Sequence, residues 1–103
     1  MKVNVILLDY YRHEFTEQVK RVNFGNAGYP LDYVIVDKKG IAAAINTGIV
    51  QSLDYDAIVT MANDITMPDN WLLKMVEAAK AIPNTGMCGI HCVEGLGDTE
   101  TIN

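Results

Sequence analysis

The chain has 103 residues, of which 50% are hydrophobic and 20% charged, and 13 acidic against 8 basic side chains give a net charge of -5. This apolar content argues against a chain that is disordered throughout, and the length suffices for one core but not for two. The acidic balance argues against binding to nucleic acid or anionic membranes, which both require a basic surface. No apolar run approaches the roughly 20 residues of a membrane span, so we expect one cytoplasmic domain over residues 1–103.

Strand and helix patterns alternate from the N-terminus. The β-branched, apolar run Val3–Leu8 is typical of a strand that is buried on both faces of a parallel sheet. From Glu14 onward, apolar residues recur at helical spacing between charged ones, which predicts an amphipathic helix that buries Phe15, Val19 and Val22.

A second strand and a second helix follow. The strand is predicted at Tyr33–Val36, and the helix at residues 41–52. Glycine weakens a helix by about 1 kcal/mol relative to alanine, so Gly48 indicates a close approach of this helix to the sheet. The apolar side of the helix is predicted to carry Ile45, Ile49 and Leu53.

The third unit begins with a predicted strand at Ala57–Met61. Residues 66–70 resemble a helix start, with Thr66 or Asp69 as the capping residue. Trp71 is interpreted as a core anchor because it lies on the apolar stripe of this helix, with Leu72, Met75, Ala79 and Ile82.

The last predicted strand covers Met87–Val93, and residues 95–103 are expected to form a poorly ordered tail. The resulting order, β-α-β-α-β-α-β, predicts the α/β class: a Rossmann-like, three-layer α/β/α domain with a mainly parallel, four-stranded sheet. The open edge of such a sheet also offers a surface for pairing with a second copy of the chain.

Polar side chains follow three of the predicted strands: Asp9, Asp37 and the pair Asn63 and Asp64. Ligands of open parallel sheets bind outside the carboxyl ends of the strands, so these groups are expected at one edge. Oxygen ligands there suit a divalent cation such as Mg²⁺ or Mn²⁺. Any one of these aspartates alone is better explained as a turn or capping residue; the three together favour a ligand site of open chemistry.

Four segments in order resemble family 2 glycosyltransferases. They are VILLDYYR at residues 5–12, VIVD at 34–37 with AINTGI at 44–49, YDAIVTMANDI at 55–65 and PDNWL at 68–72. In that family they correspond to the opening strand and loop, the second strand with its following helix, the strand with the metal-binding acidic motif, and the helix after it. The resemblance implies a GT-A fold, of which this chain would be the nucleotide-sugar-binding half.

The resemblance also implies roles for individual residues. Asp64 would hold Mn²⁺ or Mg²⁺ against the diphosphate of a nucleoside-diphosphate sugar, most simply a UDP-sugar. Asp37 would accept a hydrogen bond from the base, and Tyr10 would lie near it. The other nucleotide-binding candidates are Arg12, which is equally suited to a surface ion pair, Asn46, which needs no ligand to explain it, and Asn63.

Some residues depart from the family pattern, and these departures favour a second hypothesis, a module without catalytic activity. Ala62 stands where the family commonly has the first acid of its metal motif, and Lys38 where a second aspartate often follows Asp37. The chain ends before the family's acceptor half and its catalytic base, and Glu94 is only a weak candidate for that base. We therefore expect a glycosyltransferase, hexosyltransferase-like in type, whose present chain alone is inactive; the alternative is a non-catalytic binding or assembly module on the same fold.

Overall fold

The computed structural model describes residues 1–9, 13–37 and 40–82. The elements are β1 (Val3–Leu8), α1 (His13–Val19) continued by a π-helical segment (Lys20–Phe24), β2 (Asp32–Val36), α2 (Ile41–Val50), β3 (Ala57–Ala62) and α3 (Trp71–Ala81). Every predicted element before residue 83 is present. The strand predicted at Met87–Val93 and the tail at residues 95–103 lie outside the described residues.

The sheet is parallel, with the strand order β2-β1-β3. It therefore has three strands within the described residues, where four were expected for the whole chain. All six residues of the central strand β1 are buried, as predicted for a strand covered on both faces. Leu8 pairs with Val36 on one side and with Ala62 on the other, so the three strands end level at one edge, called here the carboxyl edge.

Helices cover both faces of the sheet, which confirms the three-layer arrangement. On one face, Val5 and Leu7 of β1 pack with Val19 of α1 and with the start of α3. On the other face, α2 packs against β1 and β2 around Ile6. β3 is less well covered on the α2 side, where Ile58 is 40% exposed. No helix in the described residues is long and apolar enough to cross a bilayer.

The side of α2 that faces the sheet is only in part the predicted one, since Ile45 packs against the core there but Ile49 and Leu53 are exposed. The buried residues are small: Ala44 and Gly48 in the helix, and Ser52 just after it. A Cβ on Gly48 would lie 2.5 Å from a side-chain carbon of Ile6, so the close approach inferred from this glycine is confirmed. Because small residues let the helix backbone reach the strand, the larger side chains are left at the flank or in solvent, and Leu53 is 76% exposed.

The start of α3 is stabilised by backbone rather than by a side-chain cap. Asn70 precedes the helix in the left-handed region, with φ of 62° and no capping hydrogen bond from its side chain. The carbonyl of Asn26 accepts from the Asn70 N–H, and that of Ala27 accepts from the N–H groups of Leu72 and Leu73 at 3.2 and 3.1 Å. These carbonyls satisfy N–H groups that a helix leaves unpaired at its first turn, so the predicted caps, Thr66 and Asp69, were wrong.

Trp71 anchors α3 to the segment after α1. Its side chain is 1% exposed, and its indole Nε1 donates to the carbonyl of Asn23 at 2.7 Å. The interpretation of Trp71 as a core anchor is confirmed. This contact also places the loop between β3 and α3 directly against the π-helical segment.

Candidate functional site

The polar residues expected at the strand ends lie together at the carboxyl edge. Since Leu8, Val36 and Ala62 are paired, the next residues, Asp9, Asp37 and Asn63, emerge from neighbouring strands at the same level. The Asp9 N–H continues the ladder by donating to the Val36 carbonyl at 2.8 Å. The sequence pattern thus predicted the location of these groups correctly.

Two of the carboxylates at this edge face solvent. Asp37 follows the edge strand β2 and Asp64 follows the opposite edge strand β3, and both are exposed. Neither pairs with a basic side chain among the described residues, where the carboxylates that do so are Asp9, with His13, and Glu17, with Lys20. Both carboxylates are therefore accessible to a ligand on the sheet edge.

Asp9 has an internal role instead. Its Oδ1 accepts hydrogen bonds from Nδ1 of His13 and from Oγ1 of Thr16, each at 2.7 Å, and its side chain is only 16% exposed. The carboxylate therefore joins the end of β1 to the first turns of α1. Among the three aspartates expected at this edge, Asp9 is the one committed to the fold.

Asn63 is also directed into the protein. It is 1% exposed, and its Nδ2 donates to Oγ1 of Thr16 at 3.3 Å. Asn46 is exposed on α2, and it lies about 8 Å along the helix axis from Ile41, the first residue of that helix. It is therefore displaced from the strand ends. The remaining candidates, Tyr10, Arg12 and Glu94, lie outside the described residues.

Asn23 is a site-supporting residue that the sequence pattern did not indicate. It is fully buried, its Nδ2 donates to the Ile65 carbonyl at 2.9 Å, and its Oδ1 accepts from the Met67 N–H at 2.9 Å. These bonds hold the loop between Asp64 and α3 against the π-helical segment that contains Asn23. The π-helical geometry, which is frequent near functional sites, lies at this position.

A crevice of about 170 Å³ opens beside the turn formed by Asn63 and Asp64, called here the acidic turn. One wall is formed by α1 and the π-helical segment, and the other by residues 63–66. Asp64 and Thr66 supply polar groups, whereas Phe15 and Val22 supply apolar surface. The crevice thus extends the carboxyl edge into a shallow, mixed surface.

The donor set at the edge fits a cation only if a ligand shares it. The described residues contain no group of three or more His, Cys, Asp or Glu side chains that could hold a metal ion. Mg²⁺ is commonly bound by one or two carboxylates together with substrate phosphates and water. The exposed Asp64 suits that arrangement, with a diphosphate completing the shell, and does not suit an ion held by protein alone.

Comparison with known proteins identifies the family. Residues 5–101 match the family described as Glycosyl transferase family 2. Neither the search of curated proteins nor the search of solved structures returned a match. The matched range contains every described strand and helix apart from the first two residues of β1, and it agrees with the resemblance carried by the four sequence segments. The chain belongs to glycosyl transferase family 2.

Proposed function

We propose that the chain binds a nucleoside-diphosphate sugar, most simply a UDP-sugar, at the carboxyl edge for glycosyl transfer. The observation that carries this proposal is the pair of exposed carboxylates, Asp37 and Asp64, at the ends of the two strands that flank β1. Two strand spacings separate β2 from β3, about 10 Å. That span suits an extended nucleotide with its base at one end and its diphosphate at the other.

Each edge residue has a role in this proposal. Asp37 accepts a hydrogen bond from the base, and Asp64 provides the protein ligand for Mn²⁺ or Mg²⁺. Tyr10 is the next residue after Asp9 in the chain and Arg12 is the third, and we assign them a stacking contact with the base and an ion pair with a phosphate, respectively. Asn63 acts indirectly, by holding the turn that carries Asp64, whereas the exposed position of Asn46 on α2 gives it no defined contact.

The acidic character of the chain explains the need for a cation. At a net charge of -5, the protein would repel a diphosphate in the absence of local positive charge. When bound, the ion would neutralise the diphosphate and stabilise the charge that develops on it as a leaving group. Asp64 orients that ion, and the crevice beside it gives room for the part of the ligand beyond the phosphates.

A non-catalytic binding or assembly module is the second candidate. Ala62, the last residue of β3, removes one acid from the metal motif, and we assign no described residue the role of activating an acceptor hydroxyl. Such a module would retain the fold without requiring a nucleotide. The two functions differ in one simple property, which is affinity for UDP.

Calorimetric titration with UDP, with and without Mn²⁺, tests the proposal. We expect UDP to bind in the presence of Mn²⁺, and Asp64→Asn to abolish the metal-dependent part of the affinity because the amide carries no charge. Asp54→Asn is the matched control, since Asp54 is an exposed aspartate in the turn before β3 at the opposite end of the sheet. Absence of UDP binding under both conditions would favour the module.

A further inference from the structure

A chain of hydrogen bonds joins three elements beneath the acidic turn. Oγ1 of Thr16, on α1, donates to Oδ1 of Asp9 at the end of β1, at 2.7 Å. The same oxygen accepts from Nδ2 of Asn63, in the turn after β3, at 3.3 Å. Thr16 and Asn63 are 3% and 1% exposed, so water does not compete freely for these bonds. The series from Asp9 through Thr16 to Asn63 is called here the relay.

The relay has a fixed direction. A carboxylate only accepts hydrogen bonds, and a threonine hydroxyl has a single hydrogen to donate. Once that hydrogen is given to Asp9, the Thr16 oxygen can only accept, so Asn63 must present its NH₂ group to it. The charge on Asp9 thereby selects one of the two orientations of the Asn63 amide. Because Asn63 and Asp64 are adjacent in a two-residue turn, the relay also fixes the turn that carries the exposed carboxylate.

We propose that Thr16 is a positioning residue of the metal and diphosphate site, acting through Asn63 on Asp64. This inference rests on the function proposed above. The orientation of Asp64 matters strongly, because the described residues contain no group of three or more His, Cys, Asp or Glu side chains that could hold the ion if Asp64 were misplaced. Loss of partners behind a metal ligand typically lowers metal affinity about 10- to 100-fold.

The test is UDP calorimetry in the presence of Mn²⁺ on Thr16→Val, which keeps the shape of the side chain and removes the hydroxyl. We expect the metal-dependent UDP affinity to fall about 10- to 100-fold, and Thr16→Ser, which restores the hydroxyl, to recover it. Thr47→Val is the matched control. Within the described part of the chain, the Thr47 hydroxyl bonds only to the Ala43 carbonyl, at 2.9 Å within α2, so its loss should leave UDP affinity unchanged.

The readout separates positioning from a merely structural role. Loss of a buried hydroxyl is expected to lower the melting temperature of Thr16→Val, so the titrations are run well below that temperature. A lower melting temperature with wild-type metal-dependent affinity would overturn the proposal, as would failure of Thr16→Ser to restore affinity. If Thr16→Val does not fold, Thr16→Ala gives the same comparison with less bulk.

Failure of the relay is distinguishable from failure of the proposed function. Wild-type protein that binds UDP with Mn²⁺, together with Thr16→Val that binds equally well, contradicts the relay alone. Wild-type protein that binds no UDP with Mn²⁺ contradicts the proposed function, and with it the role assigned to Thr16. Side-chain amide signals of Asn63 in ¹H–¹⁵N spectra, shifted in Thr16→Val but not in Thr47→Val, would support the relay independently of any ligand.

Discussion

Asn23 connects the loop between β3 and α3 to the π-helical segment. Its side chain satisfies the Ile65 carbonyl and the Met67 N–H, and its own carbonyl receives the Trp71 indole. Asn23→Ala leaves the two loop groups without a partner in a buried place. Each unsatisfied group costs about 1–3 kcal/mol, so we expect the free energy of unfolding to fall by about 2–6 kcal/mol.

Urea denaturation measures this effect, and Asn46→Ala is its control because Asn46 is exposed on α2. The control should change stability by less than about 0.5 kcal/mol. Equal effects of the two substitutions would show that the clamp at Asn23 contributes nothing beyond ordinary surface chemistry.

Residues such as Asn23 and Thr16 are hard to identify from sequence. A helical pattern assigns apolar residues to the buried side and polar ones to solvent, so Phe15, Val19 and Val22 were expected inside. In the structure Val19 is buried, but the other two are only partly so, while Thr16 and Asn23 are fully enclosed. They are buried because they satisfy other polar groups, and a pattern of hydropathy does not contain that information.

At the level of elements, the close contact of α2 with β1 makes a clear prediction. Gly48→Ala would gain about 1 kcal/mol of helix propensity, but its Cβ would overlap Ile6, which is fully buried and branched at Cβ. Overpacking of this kind costs about 1–3 kcal/mol, so we expect Gly48→Ala to lower stability or leave no net gain. A larger residue, as in Gly48→Val, should destabilise more strongly.

Gly25→Ala is the matched control for this contact. Gly25 has an ordinary helical conformation, with φ of -70°, and a Cβ there would meet nothing within 4 Å. Gly25→Ala should raise the free energy of unfolding by up to about 1 kcal/mol, because alanine reduces the conformational freedom of the unfolded chain. A gain from Gly48→Ala as large as that from Gly25→Ala, in the same urea titrations, would contradict the close approach.

The contact between Tyr55 and Asp32 predicts a loss of stability at high pH. The Tyr55 hydroxyl donates to Oδ2 of Asp32 at 2.6 Å, joining the turn before β3 to the start of β2. This hydrogen bond, reinforced by desolvation and by nearby negative charge, raises the pKa of Tyr55. Because this pKa is raised in the folded protein, the hydrogen bond contributes fully to stability at a pH below the ordinary pKa of tyrosine. The contribution is lost as the pH rises through the pKa of Tyr55 in the folded state.

Thermal unfolding between pH 8 and pH 11, about the tyrosine range, checks this contact. We expect the melting temperature of the wild type to fall more steeply at the alkaline end than that of Tyr55→Phe, which has no hydroxyl to ionise. Parallel curves for the two proteins would show that the hydrogen bond makes no difference to stability.

The sequence predicted the strands closely, but it predicted the side of α2 that packs only in part, at Ile45. β1, β2 and β3 begin and end within one residue of their expected bounds, because β-branched runs with following turn residues are a strong local signal. For α2, the large apolar residues indicated one side, whereas Ala44 and Gly48 on another side allow the closer approach. The side of α2 that packs is therefore set by how closely the helix backbone can approach Ile6 of β1, and this distance is not contained in the sequence of α2.

For the whole molecule, joint binding of metal and nucleotide should increase the thermal stability of the folded protein. A ligand that binds only the folded state stabilises it by about 2.7 kcal/mol at 100 times its dissociation constant. We expect UDP with Mn²⁺ to raise the melting temperature, and Mn²⁺ alone to have little effect, because the described residues contain no group of three or more His, Cys, Asp or Glu side chains that could hold the ion without a ligand. Equal stabilisation by Mn²⁺ alone would indicate an ion held elsewhere by the protein.

The fold class and the family both followed from the sequence, since the alternation of elements and the order of four segments are properties of the whole chain. The placement of the candidate site residues Asp9, Asp37 and Asn63 at the carboxyl edge followed from parallel topology alone. The sequence did not indicate which of these aspartates is hydrogen-bonded within the fold and which is accessible to a ligand. Asp9 and Asp64 look alike as aspartates after strands, and only the contacts of His13 and Thr16 show that Asp9 is occupied.

The most direct test of the central claim is where UDP binds. Addition of UDP with Mg²⁺ to ¹⁵N-labelled protein should shift the backbone amide signals of Asp37, Asn63 and Asp64, and replacing Mg²⁺ by paramagnetic Mn²⁺ should broaden those nearest Asp64 most. Asp54 and Asp56, in the turn at the opposite end of the sheet, should be unaffected. Shifts centred on that opposite end, or no shifts at saturating UDP, would contradict a nucleotide site at the carboxyl edge.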